Sequence, residues 1–567
     1  MNEQEAIGYI VGGGLRDKFR VRLTVSSHMV QEGAFIVVKD DPWLFYGLVT
    51  DIQLGSTDPR FADEQSEERF HKEIARYLHG QTLFTNLEIL PTLMFDPGPD
   101  LNSTLDDERL IEVDSDSGLA PRVLPVKTVP PHHTKVFLAN EDDIANIFGK
   151  EGTNMFVVGE TREQGYPVRI DLKQFVQRSA GIFGATGTGK SFLTRLILAG
   201  LIHQNKSSVL VFDMHNEYGY DDTASDTGQR VIGLKTKFPV QIQVVSLGRG
   251  ASIRGVAADF NLEIAMKDIR PTDIELLTRE LNLRETTPTT LDALVKSFGQ
   301  ENWFKEFKNM KVGANEEDEV GKRVPAPDSV AYWANEHGIN VAAAEALHSK
   351  LRRLFNKPYI LEKPASNGIK EVIKSLDSGK HVVLSFGKFD SDLDYLLVTN
   401  LLTRYIRDTW EERTNQFRSS DTQEPRQLII ILEEAHKLLN REMSSQTTFS
   451  TIAREMRKYY VTLLIVDQRP SQIYDEVMSQ LGTRISGWLG DDDDIRAVLS
   501  GLAGREALRG MLARLQPKEE VLLLGWGVPM PLPVRSRRYD EEFWSDLLGK
   551  KSKSSFNPDQ NIRDLGF

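Results

Sequence analysis

Along the first 150 or so residues, apolar and polar positions alternate in short runs, "AIGYIVGG", "KFRVRLTV", "GAFIVVKD" and "LFYGLVTDI", separated by glycine, proline and aspartate breaks. Alternation of period two turns one face of each run inward, so these runs predict strands, and their density predicts a small barrel or sandwich. One helix-like insert, "DEQSEERFHKEIARYLHG", interrupts them. From about residue 152 the pattern changes. "SSVLVFDMH", "VQIQVVSL", "HVVLSFGKF", "RQLIIILEE" and "YVTLLIVDQ" are continuous apolar runs, as expected of strands covered on both faces, with helical segments between several of them. That pattern predicts an α/β doubly wound core.

Between about 255 and 375, "RPTDIELLTRELNL", "TLDALVKSFG" and "VAAAEALHSKLRRLF" repeat apolar residues at helical spacing and predict an inserted helical subdomain. Within it, the charges and prolines of "ANEEDEVGKRVPAPD" predict an exposed loop. The expected division is an N-terminal β-barrel over 1–150, the first part of the core over 151–254, the helical insertion over 255–375, the second part of the core over 376–540, and a C-terminal tail over 541–567. The tail, "KKSKSSFNPDQNIRDLGF" after a short amphipathic "DEEFWSDLLG", is read either as a segment that orders against a partner subunit or as a free terminus.

The candidate chemistry begins at "GIFGATGTGKSFLTR", which holds Gly184-x-x-x-x-Gly189-Lys190-Ser191 between an apolar strand and an apolar helix. In that setting the residues Gly184, Ala185, Thr186, Gly187, Thr188 and Gly189 form a phosphate-cradling P-loop. The glycines let backbone N–H groups approach the phosphates, and the helix start, with Phe192 in its first turn, adds positive potential. Lys190 reaches the β and γ phosphates, and Ser191 offers its hydroxyl to magnesium. ATP and Mg2+ are therefore the expected cofactors. A P-loop needs an acidic strand end, and "QLIIILEEAH" provides Glu433 to hold the magnesium and Glu434 to polarise the attacking water. "VTLLIVDQRPSQI" ends in Gln468, whose amide can touch both γ phosphate and water. "IAREMRKYY" places Arg454 and Arg457 three apart, hence on one helical face, as candidates to stabilise charge on a neighbouring subunit's nucleotide. "VLVFDMHNEYG" sets Asp213, His215 and Glu217 at a strand end, where Asp213 and Glu217 are expected to line the nucleotide pocket or couple it to DNA.

Composition changes this picture in three ways. With 567 residues the chain exceeds a single core, and 40% hydrophobic with 27% charged residues is a globular balance. It contains no cysteine, which excludes disulfides and thiolate-held metals. The net charge of -13 argues against a surface broadly coated for nucleic acid, while leaving room for a basic channel; Arg249, Arg254, Lys235 and Lys237 are candidates to line it. No apolar run is long enough for a bilayer and the N-terminus lacks a signal-peptide pattern, so a cytoplasmic protein without a membrane partner is expected.

Together "GIFGATGTGKS", "VFDMHNEYG", "ILEEAH", "IAREMRKY" and "DQRPSQI" resemble the HerA-type hexameric ATPases of the HerA/FtsK group, and the N-terminal runs resemble the small β-barrel that precedes the motor in that family. The resemblance implies a P-loop RecA-like ATPase core, a homo-hexameric ring, ATP bound between neighbours and an arginine supplied in trans. It also implies double-stranded DNA in the pore, moved by a translocase or helicase, with a partner nuclease or effector docked on the barrel in DNA repair or antiphage defence. Another reading has the ring as a scaffold that assembles and activates that effector, translocation being incidental. Asn216 stands where the family usually has glycine, Asp467 where serine is common, and Met456 where a glycine separates the two arginines.

Overall fold

The computed structural model describes residues 5–549 apart from 16–17, 42, 58–82, 97–121, 153, 224–227, 229, 251, 318–322, 421–422 and 444–447. The helix-like insert "DEQSEERFHKEIARYLHG" and the tail from residue 550 lie outside the described residues. The chain divides into two compact units, one of residues 1–175, 183–190 and 482–537, the other of 176–182, 191–481 and 538–567.

In the first unit, the strands Gly8–Gly12, Phe19–Leu23, Leu83–Asp96, Trp43–Ser56, Phe35–Asp40 and Lys135–Leu138 pair antiparallel around a closed ring, with Arg122–Pro125 added on Leu83–Asp96. Closure comes from Phe19–Leu23, which pairs with Gly8–Gly12 through Ile10↔Val21 and with Leu83–Asp96 through Phe19↔Ile89. Alternate residues point inward, so Ile10, Phe19, Val21, Ile36, Val38, Phe45, Leu87, Ile89 and Val136 fill the interior. This is the small N-terminal β-barrel. The same unit holds five further antiparallel strands, in the order Thr483–Ser486, Glu520–Gly525, Leu532–Ser536, Met155–Thr161 and Pro167–Asp171.

The second unit is built on six parallel strands in the order Phe260–Leu262, Ile242–Leu247, His381–Ser385, Ser207–Asp213, Gln427–Glu433 and Val461–Asp467. All seven residues of Ser207–Asp213 and of Val461–Asp467 are buried, which explains why their middle positions, 209–212 and 463–466, are continuously apolar rather than alternating. The core is the α/β P-loop ATPase fold.

The helical insertion is a subdomain of this unit, and its ends meet where Ile264–Ala265 pairs in parallel with Ile360–Leu361. Helices Thr287–Phe298, Trp303–Asn309, Val330–Glu336 and Val341–Phe355 enclose buried Trp303, Phe304, Phe307, Trp333 and Phe355. Two local expectations are corrected. "RPTDIELLTRELNL" makes only a five-residue helix, Pro271–Glu275, because Thr278 Oγ1 donates to the Glu275 carbonyl at 2.6 Å and the chain continues in turns. "ANEEDEVGKRVPAPD" is not a plain loop but carries an exposed hairpin, Asn315–Glu317 with Arg323–Pro325. A buried pair ties the insertion to the long helix Asp392–Ser419: Arg404 Nη2 donates to Asp273 Oδ2 at 2.9 Å and Nε to Oδ1 at 3.1 Å.

Candidate nucleotide site

The strand Ala180–Phe183 is buried throughout, and after it the chain turns through 184–189 into the helix Lys190–Gln204. Gly184, Gly187 and Gly189 hold φ of 153°, 78° and 89°, and a Cβ on Gly184 would lie 2.5 Å from Thr188 Oγ1, so a side chain there would close the turn. Ala185 N–H donates to the Trp488 carbonyl at 2.9 Å, which fixes the start of the loop. Thr188 Oγ1 and Lys190 Nζ both donate to the Ala185 carbonyl, at 2.8 and 2.9 Å, while Thr186 and Gly187 are exposed at the tip. Ser191 is half-buried in the first helical turn, and the Phe192 ring is exposed with Tyr539 at 6.5 Å between centroids.

In the second unit the chemistry collects at the carboxyl ends of the parallel strands, where α/β sheets bind their ligands. Asp213, Ser385, Glu433 and Asp467 are each the last residue of their strand. Asp213, 1% exposed, accepts the N–H groups of Glu217 and Tyr218 at 2.8 and 2.9 Å and so closes the turn "DMHNEY" on itself. Arg195, one turn beyond Ser191 on the P-loop helix, donates from Nη2 to the Glu217 carbonyl at 2.5 Å. Asn216 has φ 58°, the left-handed region that glycine and asparagine tolerate best, and its Oδ1 accepts from the Ser385 hydroxyl. The departure from glycine at this position therefore keeps the backbone shape and gains a tie to the next strand. His215 is exposed.

Glu433 is buried, its Oε1 accepting from Tyr218 Oη at 2.5 Å and its backbone carbonyl from Tyr395 Oη at 3.0 Å. Its Oε2 is buried with no hydrogen-bond partner among the described residues. Burial, with Asp213 and Glu217 nearby, pushes the Glu433 carboxyl well above the usual carboxylate range, and burial pushes Asp213 up to about 6. Such a pair gains from an added cation. Glu434 follows at φ 46°, a left-handed backbone that is strained for a glutamate, and its Oε2 accepts from Gln468 Nε2 at 3.3 Å. The structure therefore brings together Asp213 with Glu217 and Glu433, and Glu434 with Gln468.

The α-helix Thr448–Glu455 ends at Arg454's neighbour, and Arg457 lies in a 3-10 turn, Met456–Tyr459. Buried Met456 and the left-handed Tyr460, φ 63°, turn the chain into the strand at Val461. Arg454 is exposed and pairs with Glu476 at 3.4 Å; Arg457 is exposed. The four basic residues suggested for a channel are each paired with an acid: Arg249 with Glu263, Arg254 with Asp222, Lys235 with Asp259 at 2.9 Å and Lys237 with Glu541 at 3.1 Å. Their charge is locally neutralised.

Sequence reasoning missed several contributors. Tyr218 stands inside a motif already singled out, and Arg195 is four residues beyond Ser191, so motif context and helical spacing offered a signal for both. Tyr395, on the long helix 38 residues from its Glu433 partner, offered none.

A glycine-turned phosphate loop capped by lysine and serine, and a buried strand-end carboxylate followed by a second one held by a glutamine amide, define a P-loop nucleoside triphosphatase, an ATP-hydrolysing enzyme. Residues 156–406 match the family model described as "Helicase HerA, central domain". The chain is 24% identical over 540 residues to the DNA double-strand break repair helicase HerA of Sulfolobus acidocaldarius, covering 94% of this chain and 93% of that protein. It is 22% identical over 568 residues to the protein of the same name in Saccharolobus solfataricus, covering 99% of each. Among solved structures, VirB4 of Thermoanaerobacter pseudethanolicus matches with a TM-score of 0.42 and 16% identity over 70% of this chain and 100% of that one. Over nearly its full length this chain is similar to the HerA-type ATPases. Among the described residues no helix is long and apolar enough to cross a membrane.

Proposed function

We propose that the chain is an ATP-dependent translocase or helicase for double-stranded DNA, working as a homo-hexameric ring with a partner nuclease or effector docked on its N-terminal barrel. The observation that carries the reading is the set of strand-end groups: buried Glu433 with one open oxygen, and Glu434 beside Gln468. Backbone N–H groups of 184–189 and the Lys190 ammonium bind the phosphates of ATP. The donor set suits magnesium, a hard cation that uses one or two carboxylates plus phosphate oxygens. The Ser191 hydroxyl and Glu433 would hold it, and when bound it neutralises charge on the β and γ phosphate oxygens. Glu434 accepts the proton of the attacking water, and Gln468 orients both. Asp213 and Glu217 shape the turn beside them. Either Arg454 or Arg457 serves the neighbouring subunit's nucleotide; among the described residues Arg454 is paired with Glu476. The names of the HerA relatives support DNA as the substrate.

The test is steady-state ATP hydrolysis with and without linear duplex DNA, beside Lys190→Ala, at two salt concentrations. Salt-sensitive stimulation that the variant lacks is the expected result; hydrolysis indifferent to duplex overturns the motor. The neutralised basic residues favour a second reading, in which the ring is a scaffold for an antiphage effector. Full activation of the partner by Glu434→Gln rings would establish that reading instead.

A further inference from the structure

His436, three residues beyond Glu433, has no role in the reading above, yet it lies between two carboxylates. Its ring Nδ1 is 3.0 Å from Asp467 Oδ2 and 3.6 Å from Glu434 Oε2. Its backbone N–H donates to Asp467 Oδ2 at 2.7 Å, so both ends of the residue are clamped by one carboxylate. Asp467 is 1% exposed and is itself aimed by the Arg469 N–H at 2.7 Å. Asp467 installs a buried negative charge beside an imidazole that touches the water-activating glutamate.

We propose that His436, clamped by Asp467, is a positioning residue for ATP hydrolysis: it fixes the Glu434 carboxylate opposite Gln468. Glu434 is then restrained from two sides, by the Gln468 amide at 3.3 Å and by the His436 ring at 3.6 Å. The charged groups facing the ring are Asp467 and Glu434, which favour its protonation, and Lys437, which opposes it; the hydrogen bond to Asp467 is the largest influence and holds the imidazole above its ordinary value. The proton stays on the imidazole below that raised value and is lost as pH rises through it, so Glu434 loses its restraint on the alkaline side.

The proposal rests on the ATPase reading, and the experiment separates the two. The pH dependence of kcat and KM for ATP is measured between pH 6 and 9 on the full-length wild type, Asp467→Asn, Asp467→Ser and His436→Gln, with Lys190→Ala as baseline and binding of a fluorescent ATP analogue as the check on folding. Asp467→Asn removes the charge and keeps one of the two acceptor oxygens, and Asp467→Ser removes the charge with a shorter side chain. The alkaline limb of kcat is expected to move about one pH unit toward acid in both Asp467 variants, the size of an opposite charge within 4–6 Å, with KM unchanged. His436→Gln is expected to lose that limb and to lower kcat about tenfold at pH 7. Profiles parallel to wild type in variants that still bind nucleotide would overturn the positioning role and leave the ATPase intact. A wild type no faster than Lys190→Ala would overturn both.

Discussion

The barrel and the parallel sheet solve the same problem, burial of apolar strand faces, in opposite ways. In the barrel the strand Phe19–Leu23 hides alternate residues, with Phe19 and Val21 inside and Arg20 outside. In the parallel sheet both faces are covered, so a polar residue within a strand needs a partner, as Ser208 and Thr462 have in the Leu376 and Val176 carbonyls, and the acidic residues fall at the strand ends. Asp213, Ser385, Glu433 and Asp467 all sit there. The doubly covered sheet concentrates its polar groups along one edge, where ligands bind in α/β sheets, whereas the barrel distributes them over its outside. Chemistry follows from that concentration, and so does cost: Glu433 and Asp213 are held against their preferred ionisation.

The largest effect expected from breaking this contrast is catalytic. Lys190→Ala is predicted to lower ATP turnover by about 10²–10³-fold, the loss typical of a preorganised charge-stabilising donor. Circular dichroism should be unchanged.

The barrel offers the opposite result. Phe45, 2% exposed in its interior, is predicted to cost about 3–5 kcal/mol on change to alanine, read by denaturant unfolding followed in the barrel. ATP turnover per folded chain is expected to stay within about twofold, because the parallel sheet keeps its own core. Comparable losses in both measurements would show that the two regions fold as one cooperative unit.

The strand-end cost can be exposed directly. A carboxyl whose folded pKa is raised favours the folded state fully at pH below its unfolded value and loses that contribution as pH rises through the folded value. For Asp213 the window runs from the ordinary aspartate range near 4 up to about 6. The metal-free protein is therefore predicted to melt at a higher temperature at pH 5 than at pH 7.5. Glu433→Gln is predicted to raise the melting temperature at pH 7.5 by a few degrees while abolishing turnover, and to narrow the difference between the two pH values. A variant that melts lower at both would show that the carboxylate is stabilising as it stands.

The smallest effect concerns Asn216. Change to glycine should alter stability by at most about 0.5 kcal/mol, while valine, which resists φ of 58°, should cost about 1–2 kcal/mol, measured by thermal unfolding. Equal effects would mean that the Ser385 tie outweighs the backbone.

Local patterns foretold much of this architecture. Continuous apolar runs marked the parallel strands, alternation marked the barrel, and the P-loop spacing placed Gly184, Lys190 and Ser191 on a strand–turn–helix. Reading failed where a short segment depends on distant partners. The helix of "RPTDIELLTRELNL" stops after Glu275, and the α-helix that carries Arg454 ends at Glu455, leaving Arg457 in the 3-10 turn that follows.

The sequence by itself determined the strand types, the phosphate loop and the acidic strand end, because each is a matter of period, spacing and residue chemistry within some fifteen positions. Only the tertiary structure decided which side chains share a field. Tyr395 reaches Glu433 from a separate helix, Ser385 reaches Asn216 across 169 residues, and Asp467 holds His436 from the neighbouring strand. Parallel strands bring distant residues side by side at their ends, and the burial that results sets their ionisation, which no local pattern encodes.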